Sequence, residues 1–210
     1  MRNKSHRWIA RYASALTLHD WAGLKRLARQ AREAGISPKQ LYELTLQGYL
    51  FLGFPAAVEA FWVLDGICAP GKNKSEPPLV LRVKKGRKTC RRIYREKYPA
   101  LMENLKQKSP ELAGWIIEEG YGKVLSRPGV SLKVRELFNV TLLSASGFPK
   151  QLFAHLRALV EMGEKPETLT ILAKEASKKS PRRIKIAIDR ALKLFLAHRN
   201  SVWEVPVSSL

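Results

Sequence analysis

The chain holds 4 histidines and 2 cysteines, so few side chains are available for nucleophilic, metal-binding or proton-transfer chemistry. His6, His19 and His198 lack clustered partners, which points away from a metal centre. Cys68 and Cys90 read as two separate free thiols, and Cys90, between Lys88 and Arg91, gains some thiolate character. Two cysteines exclude a disulfide scaffold and a Cys-only four-ligand metal site. His155 stands apart because it follows Glu136 by nineteen residues in a neutral, apolar-rich stretch. A carboxyl and an imidazole are the minimal equipment for moving a proton to or from carbon, and they need no cofactor. The structural alternative is plain: Leu152, Phe153, Leu156 and Leu159 surround His155 as they would a half-buried core histidine. Glu136, in the first turn of a helix, is also favourable against the macrodipole.

The elements that must position this pair are helices. From Trp8 to Arg32 the apolar residues, the last of them Leu27, recur at helical intervals, and Gly35 stops that helix. Ser37-Pro38 then reads as an N-cap and first helical residue, opening a helix to about Leu52. Gly53-Phe54-Pro55 breaks it, and Ala56 to Leu64 continues as another. Residues 69–97 change character, with Pro70, Gly71, Pro77, Pro78, a β-like Leu79-Val80-Leu81 and a run of cations, which reads as a linker and basic arm with room for a hairpin. Helical spacing resumes over about 99–108, 111–120, 131–146, 149–162 and 166–177, and Pro181 opens a last amphipathic helix to about His198. The fold class is all-α. If 131–146 and 149–162 form a simple antiparallel hairpin, Glu136 and His155 sit roughly 7 Å apart along its axis.

Sliding the chain by 128 residues aligns Arg7–Leu44 with Arg135–Leu172 without a gap. Arg7 falls on Arg135, Leu24 on Leu152, Gly35 on Gly163, Pro38 on Pro166 and Leu41 on Leu169. The pairing includes a helix-stopping glycine and a helix-starting proline, where geometry demands those residues. It implies two copies of a helix-hairpin unit packed about a pseudo-twofold axis. Trp8 and Leu27 replace Glu136 and His155 in the first copy, so only the second can host the acid–base pair. The expected organisation is a degenerate first repeat at 1–66, a basic linker at 67–98, a second repeat at 99–177 and a basic helix and tail at 178–210.

Two stretches carry a family resemblance. One runs from Gly35-Ile36-Ser37-Pro38 to Gly53-Phe54-Pro55-Ala56-Ala57. The other comprises Gly122–Gly129, Lys133–Leu137 and Gln151-Leu152-Phe153-Ala154-His155-Leu156-Arg157-Ala158, closed by Gly163. Together they resemble the carboxymuconolactone decarboxylase family, which includes the alkylhydroperoxidase D proteins. The resemblance implies an all-helical fold, assembly into trimers or hexamers, and a site lined by helices, with Glu136 and His155 at the family's glutamate and histidine positions. The redox cysteines of the peroxidase branch fall on Phe148 and Gln151, so Cys-x-x-Cys peroxidase chemistry is excluded. The decarboxylase branch implies a lyase or isomerase acting on a small carboxylated lactone or keto acid. Arg127, Arg135 and Arg157 are then candidates to hold the substrate carboxylate, because a guanidinium clamps a carboxylate bidentately.

The formal charge of +20 is unevenly placed: residues 67–110 hold 13 cations and 3 carboxylates, whereas 111–176 are neutral. The basic arm has a single aromatic, Tyr94, between Arg82 and Lys97. Three readings stay open for it: nucleic-acid contact, an interface with an acidic partner or another subunit, and a solvated face. A catalytically silent scaffold binding through these segments is the rival to the enzyme. No uninterrupted apolar run approaches the roughly 20 residues of a membrane span, and no apolar signal core follows the basic N-terminus. A cytoplasmic protein is expected.

Overall fold

The computed structural model describes residues 2–70 and 76–198. Among them every regular element is helical: α1 (Arg2–Thr17), α2 (Trp21–Arg29), α3 (Pro38–Val63), α4 (Leu79–Tyr94), α5 (Tyr98–Lys108), α6 (Pro110–Trp115), α7 (Leu132–Ser146), α8 (Pro149–Glu161), α9 (Pro166–Ser177) and α10 (Arg182–Ala197). A π-helical segment, Ile116–Leu125, continues α6. Two compact units result: one joins the chain up to Pro70 with the chain from Lys133 onward, and the other is the intervening stretch.

In the first unit, local chemistry sets the helix ends. Ser37 accepts from the Gln40 amide while the Gln40 side chain accepts from the Ser37 amide, a reciprocal cap that starts α3 with Pro38 in its first turn. Gly53, at φ 79° and ψ 173°, breaks α3 internally, a conformation that glycine adopts without a Cβ penalty. The long helix expected from Trp8 to Arg32 is instead two, because the chain turns at His19 (φ 56°) and restarts under an Asp20 cap. Leu137, Val140 and Leu143 of α7 join Leu152, Phe153 and Leu156 of α8, Leu169 and Leu172 of α9 and Ile188, Leu192 and Phe195 of α10 in one apolar core. Joined across Gly53, α3 spans 26 residues and is, among the described residues, the one helix long and apolar enough to cross a membrane. The longest apolar run in the sequence understates it. Even so, its Glu43 and Gln47 are buried in the unit.

The second unit corrects the sequence reading. Residues 79–94 form a helix, not a linker or a hairpin. Gly86, Cys90 and Ile93 lie at helical spacing and are buried, so α4 has an apolar face that the neighbouring run of cations masks in composition. That face packs on the π-helical segment so closely that a Cβ on Gly86 would collide with the Ile117 carbonyl, and one on Gly122 with the Arg82 carbonyl. Cys90 is fully buried in this contact rather than presented to solvent beside Lys88 and Arg91.

Two measurements check this account. The Gly86→Ala change should raise amide exchange across residues 79–125 and leave α7 protected, since the displaced contact is backbone on backbone. Asp20 accepts from the Gly23 amide at 2.9 Å and faces Lys179 at 3.3 Å, and these partners hold its carboxyl below its ordinary range. Its contribution is therefore present above the unfolded-state value near 4 and lost as pH falls through the lower folded value. Asp20→Ala should cost about 1 kcal/mol in urea unfolding at pH 7, with the difference shrinking towards pH 2.

Candidate functional site

Glu136 lies in the first turns of α7 and His155 in the middle of α8, and they meet directly: His155 Nδ1 is 2.6 Å from Glu136 Oε2. Both are buried, with His155 at 6% exposure. The 7 Å separation of a simple hairpin does not apply. The chain reverses at Gly147 (φ 81°), and α7 and α8 meet through their side chains, with Leu137, Val140 and Leu143 in one core with Leu152, Phe153 and Leu156. Neither a water nor a second subunit is needed to join the pair.

The pair is one end of a longer polar chain. Asn139, one turn after Glu136 on α7, donates to Glu136 Oε1 at 2.9 Å. Gln47 of α3 donates to Asn139 Oδ1 at 2.6 Å and to the Arg135 carbonyl at 2.9 Å. Arg135 donates back to Gln47 Oε1 at 3.0 Å and to Glu43 Oε2 at 2.8 Å. Arg135, Glu136, Asn139 and Gln47 have no exposed surface, and Glu43 has almost none. Beside them on α3, Thr45 shares a 2.6 Å hydrogen bond with the Tyr12 hydroxyl, whose pKa burial raises. Each carboxylate in the chain faces a cation or a donor, as burial of charge requires.

The three arginines expected to hold a substrate separate. Arg135 turns away from Glu136 and is committed to Glu43 and Gln47, so it builds the scaffold and is not presented to a ligand. Arg157 is buried on α8 with its guanidinium 4.6 Å from the centre of the Phe153 ring, and burial lowers its pKa. Arg127 belongs to the second unit. A cavity of about 500 Å³ in the first unit is lined by His6, Arg7, Arg11, Glu164 and Glu175 among others, not by Glu136 or His155.

Sequence reasoning missed Glu43, Gln47 and Asn139. The first two lie four residues apart on α3 amid Leu41, Leu44 and Gly48, where polar side chains interrupt an apolar face. Asn139 lies three residues after Glu136, hence on the same side of its helix. Polar residues at core positions were the available signal.

Removing one charge of a buried pair strands the other. Arg135→Met should therefore destabilise the protein by about 3–5 kcal/mol in urea unfolding. The double change Glu43→Met with Arg135→Met should cost less than the single one, since it removes both charges together.

Compared with known proteins, the chain matches no family model and no curated protein.

Proposed function

We propose that this is a carboxymuconolactone decarboxylase-like protein built from two pseudo-repeated helical copies. Its second copy uses Glu136 and His155 for cofactor-independent acid–base chemistry. The observation that carries the proposal is the 2.6 Å contact between these two side chains inside a buried, hydrogen-bonded polar chain. Ionisable groups are costly to bury, and general acid–base catalysis needs its acid and base held within hydrogen-bond reach.

The repeat is supported by equivalences at the same offset of 128. Helices begin at Trp21 and Pro149, and at Pro38 and Pro166. Left-handed residues recur at His19 and Gly147 and at Gly35 and Gly163. Trp8 and Leu27, the counterparts of Glu136 and His155, also touch, since Trp8 Nε1 donates to the Leu27 carbonyl at 2.8 Å. The exchange works between copies too: Arg11 pairs with Glu175 at 2.7 Å where Asn139 pairs with Gln47 at 2.6 Å. Contacts that swap partners in this way are what a twofold relation produces.

In this reading the substrate is a small carboxylated lactone or β-keto acid. The bond from the carboxylate to the ring or chain carbon breaks, CO2 leaves, and its electron pair is held as an enolate. His155 Nε2 delivers a proton to that carbon while Glu136, on Nδ1, stabilises the imidazolium. Arg157, on the helix that carries His155, is assigned to the substrate carboxylate. The exposed apolar stripe of Phe54 (72%), Val58 and Trp62 (70%) on α3 supports the oligomeric part of the reading.

The test is CO2 release from a panel of β-keto acids and carboxylated lactones, followed with solvent-deuterium incorporation. Wild type should turn over at least one, and Glu136→Gln and His155→Gln should each lower kcat by about 10²–10⁴ with helical content retained. Equal rates in the folded variants would overturn the acid–base assignment.

A further inference from the structure

The second unit carries a surface that the acid–base reading does not use. On α4, Lys84, Lys85, Arg87, Lys88, Arg91 and Arg92 are all exposed. At about 100° per residue they occupy a sector of about 160°, opposite the buried Gly86, Cys90 and Ile93. None of the six pairs with a carboxylate among the described residues, whereas Arg82, nearer the packed side, is held by Glu76 at 3.1 Å and Glu118 at 2.9 Å. This is a high density of cations along roughly 12 Å of helix, the eight steps of about 1.5 Å from Lys84 to Arg92. Beside it runs a groove of about 700 Å³ walled by Arg87 and Arg91 of α4, Lys106 of α5 and Trp115 of α6. Trp115 is 61% exposed and makes no ring or hydrogen-bond contact among the described residues. Tyr98, on the same groove, is already covered by Arg91 at 5.1 Å.

We propose that this face of the second unit binds single-stranded nucleic acid, with the phosphates on the cations of α4 and an unpaired base stacked on Trp115. Charge complementarity selects a polyanion. The exposed indole beside the cations selects one with flat apolar groups between its charges, and stacking of bases on aromatic side chains is the usual means of holding a single strand. A duplex would satisfy the cations but keep its bases from the indole. An anionic bilayer would engage the exposed Val80 and Leu81 at the start of α4 together with its cations and has no use for the indole of Trp115, a difference that the vesicle arm of the test below reads. Glu103, Glu111 and Glu118 also wall the groove, which confines the phosphates to the α4 side. The inference concerns the second unit alone and stands or falls independently of the Glu136–His155 chemistry.

The sequence shows only Tyr94 within the basic arm, so the aromatic partner comes from a residue more than twenty positions away, beyond α5. The test is fluorescence anisotropy of the full chain with labelled fifteen-residue oligo-dT and oligo-U, whose relative affinities distinguish DNA from RNA. Affinity for at least one should fall by roughly 100-fold between 50 and 200 mM salt, as for about five phosphate contacts. The triple change Lys84→Glu, Lys88→Glu and Arg91→Glu should abolish binding. Trp115→Ala should weaken it by roughly tenfold and Trp115→Phe should largely restore it, with circular dichroism unchanged throughout. No binding at 50 mM salt, or Trp115→Ala binding like wild type, would overturn the proposal. Equal affinity for a duplex, for polyglutamate or for phosphatidylserine vesicles would overturn it too, by showing a general polyanion surface.

Discussion

Burying Arg135 between Glu43 and Gln47 is the constraint on which the first unit depends. A guanidinium without water must be met by acceptors in a fixed plane, and here both come from α3 across to α7. With those two helices held in register, Gln47 reaches Asn139, and Asn139 reaches the carboxylate that faces His155 on α8. Three helices thus share one polar seam inside an otherwise apolar core. The seam sets the position of the dyad more narrowly than hydrophobic packing alone would, because hydrogen bonds are directional and dispersion is not.

This seam also separates two roles within consecutive residues of α7. Arg135 and Glu136 differ by about 100° around the helix, so one faces α3 and the other α8. Arg135 is structural and neutralises a buried acid. Glu136 is left to orient an imidazole. The same division explains why an arginine adjacent to the acid in sequence does not serve as its counter-ion.

Much of the helical framework was legible because caps speak locally. Ser37-Pro38, Pro166 and Gly163 each act through their own backbone, and the helices they bound lie where the sequence places them, whereas Gly35 closes a short turn after a helix that had already ended. The His155 and Glu136 pair was legible as residue types but not as a contact, since their separation depends on how α8 departs from α7. Glu43, Gln47 and Asn139 were hidden for a related reason: a polar residue signals burial only once the opposite face is known. The second unit misled most. Proline, glycine and a dense run of lysine and arginine around residues 70–97 mimic a linker, yet Gly86 is there because two backbones touch, and most of the cations of α4 occupy the side that faces water.

The insertion of one unit inside the other has a consequence for synthesis. Glu43 is made 92 residues before the guanidinium that neutralises it. At roughly 5–20 residues per second, α3 waits on the order of 5–20 s before Arg135 follows it from the ribosome. During that interval the first three helices hold a carboxylate with no countercharge and an apolar surface with no lid. The nascent amino-terminal segment is consequently the stage at which a chaperone has most to shield, and the second unit, whose α4 packs on the π-helical segment of the same stretch, can close on itself meanwhile.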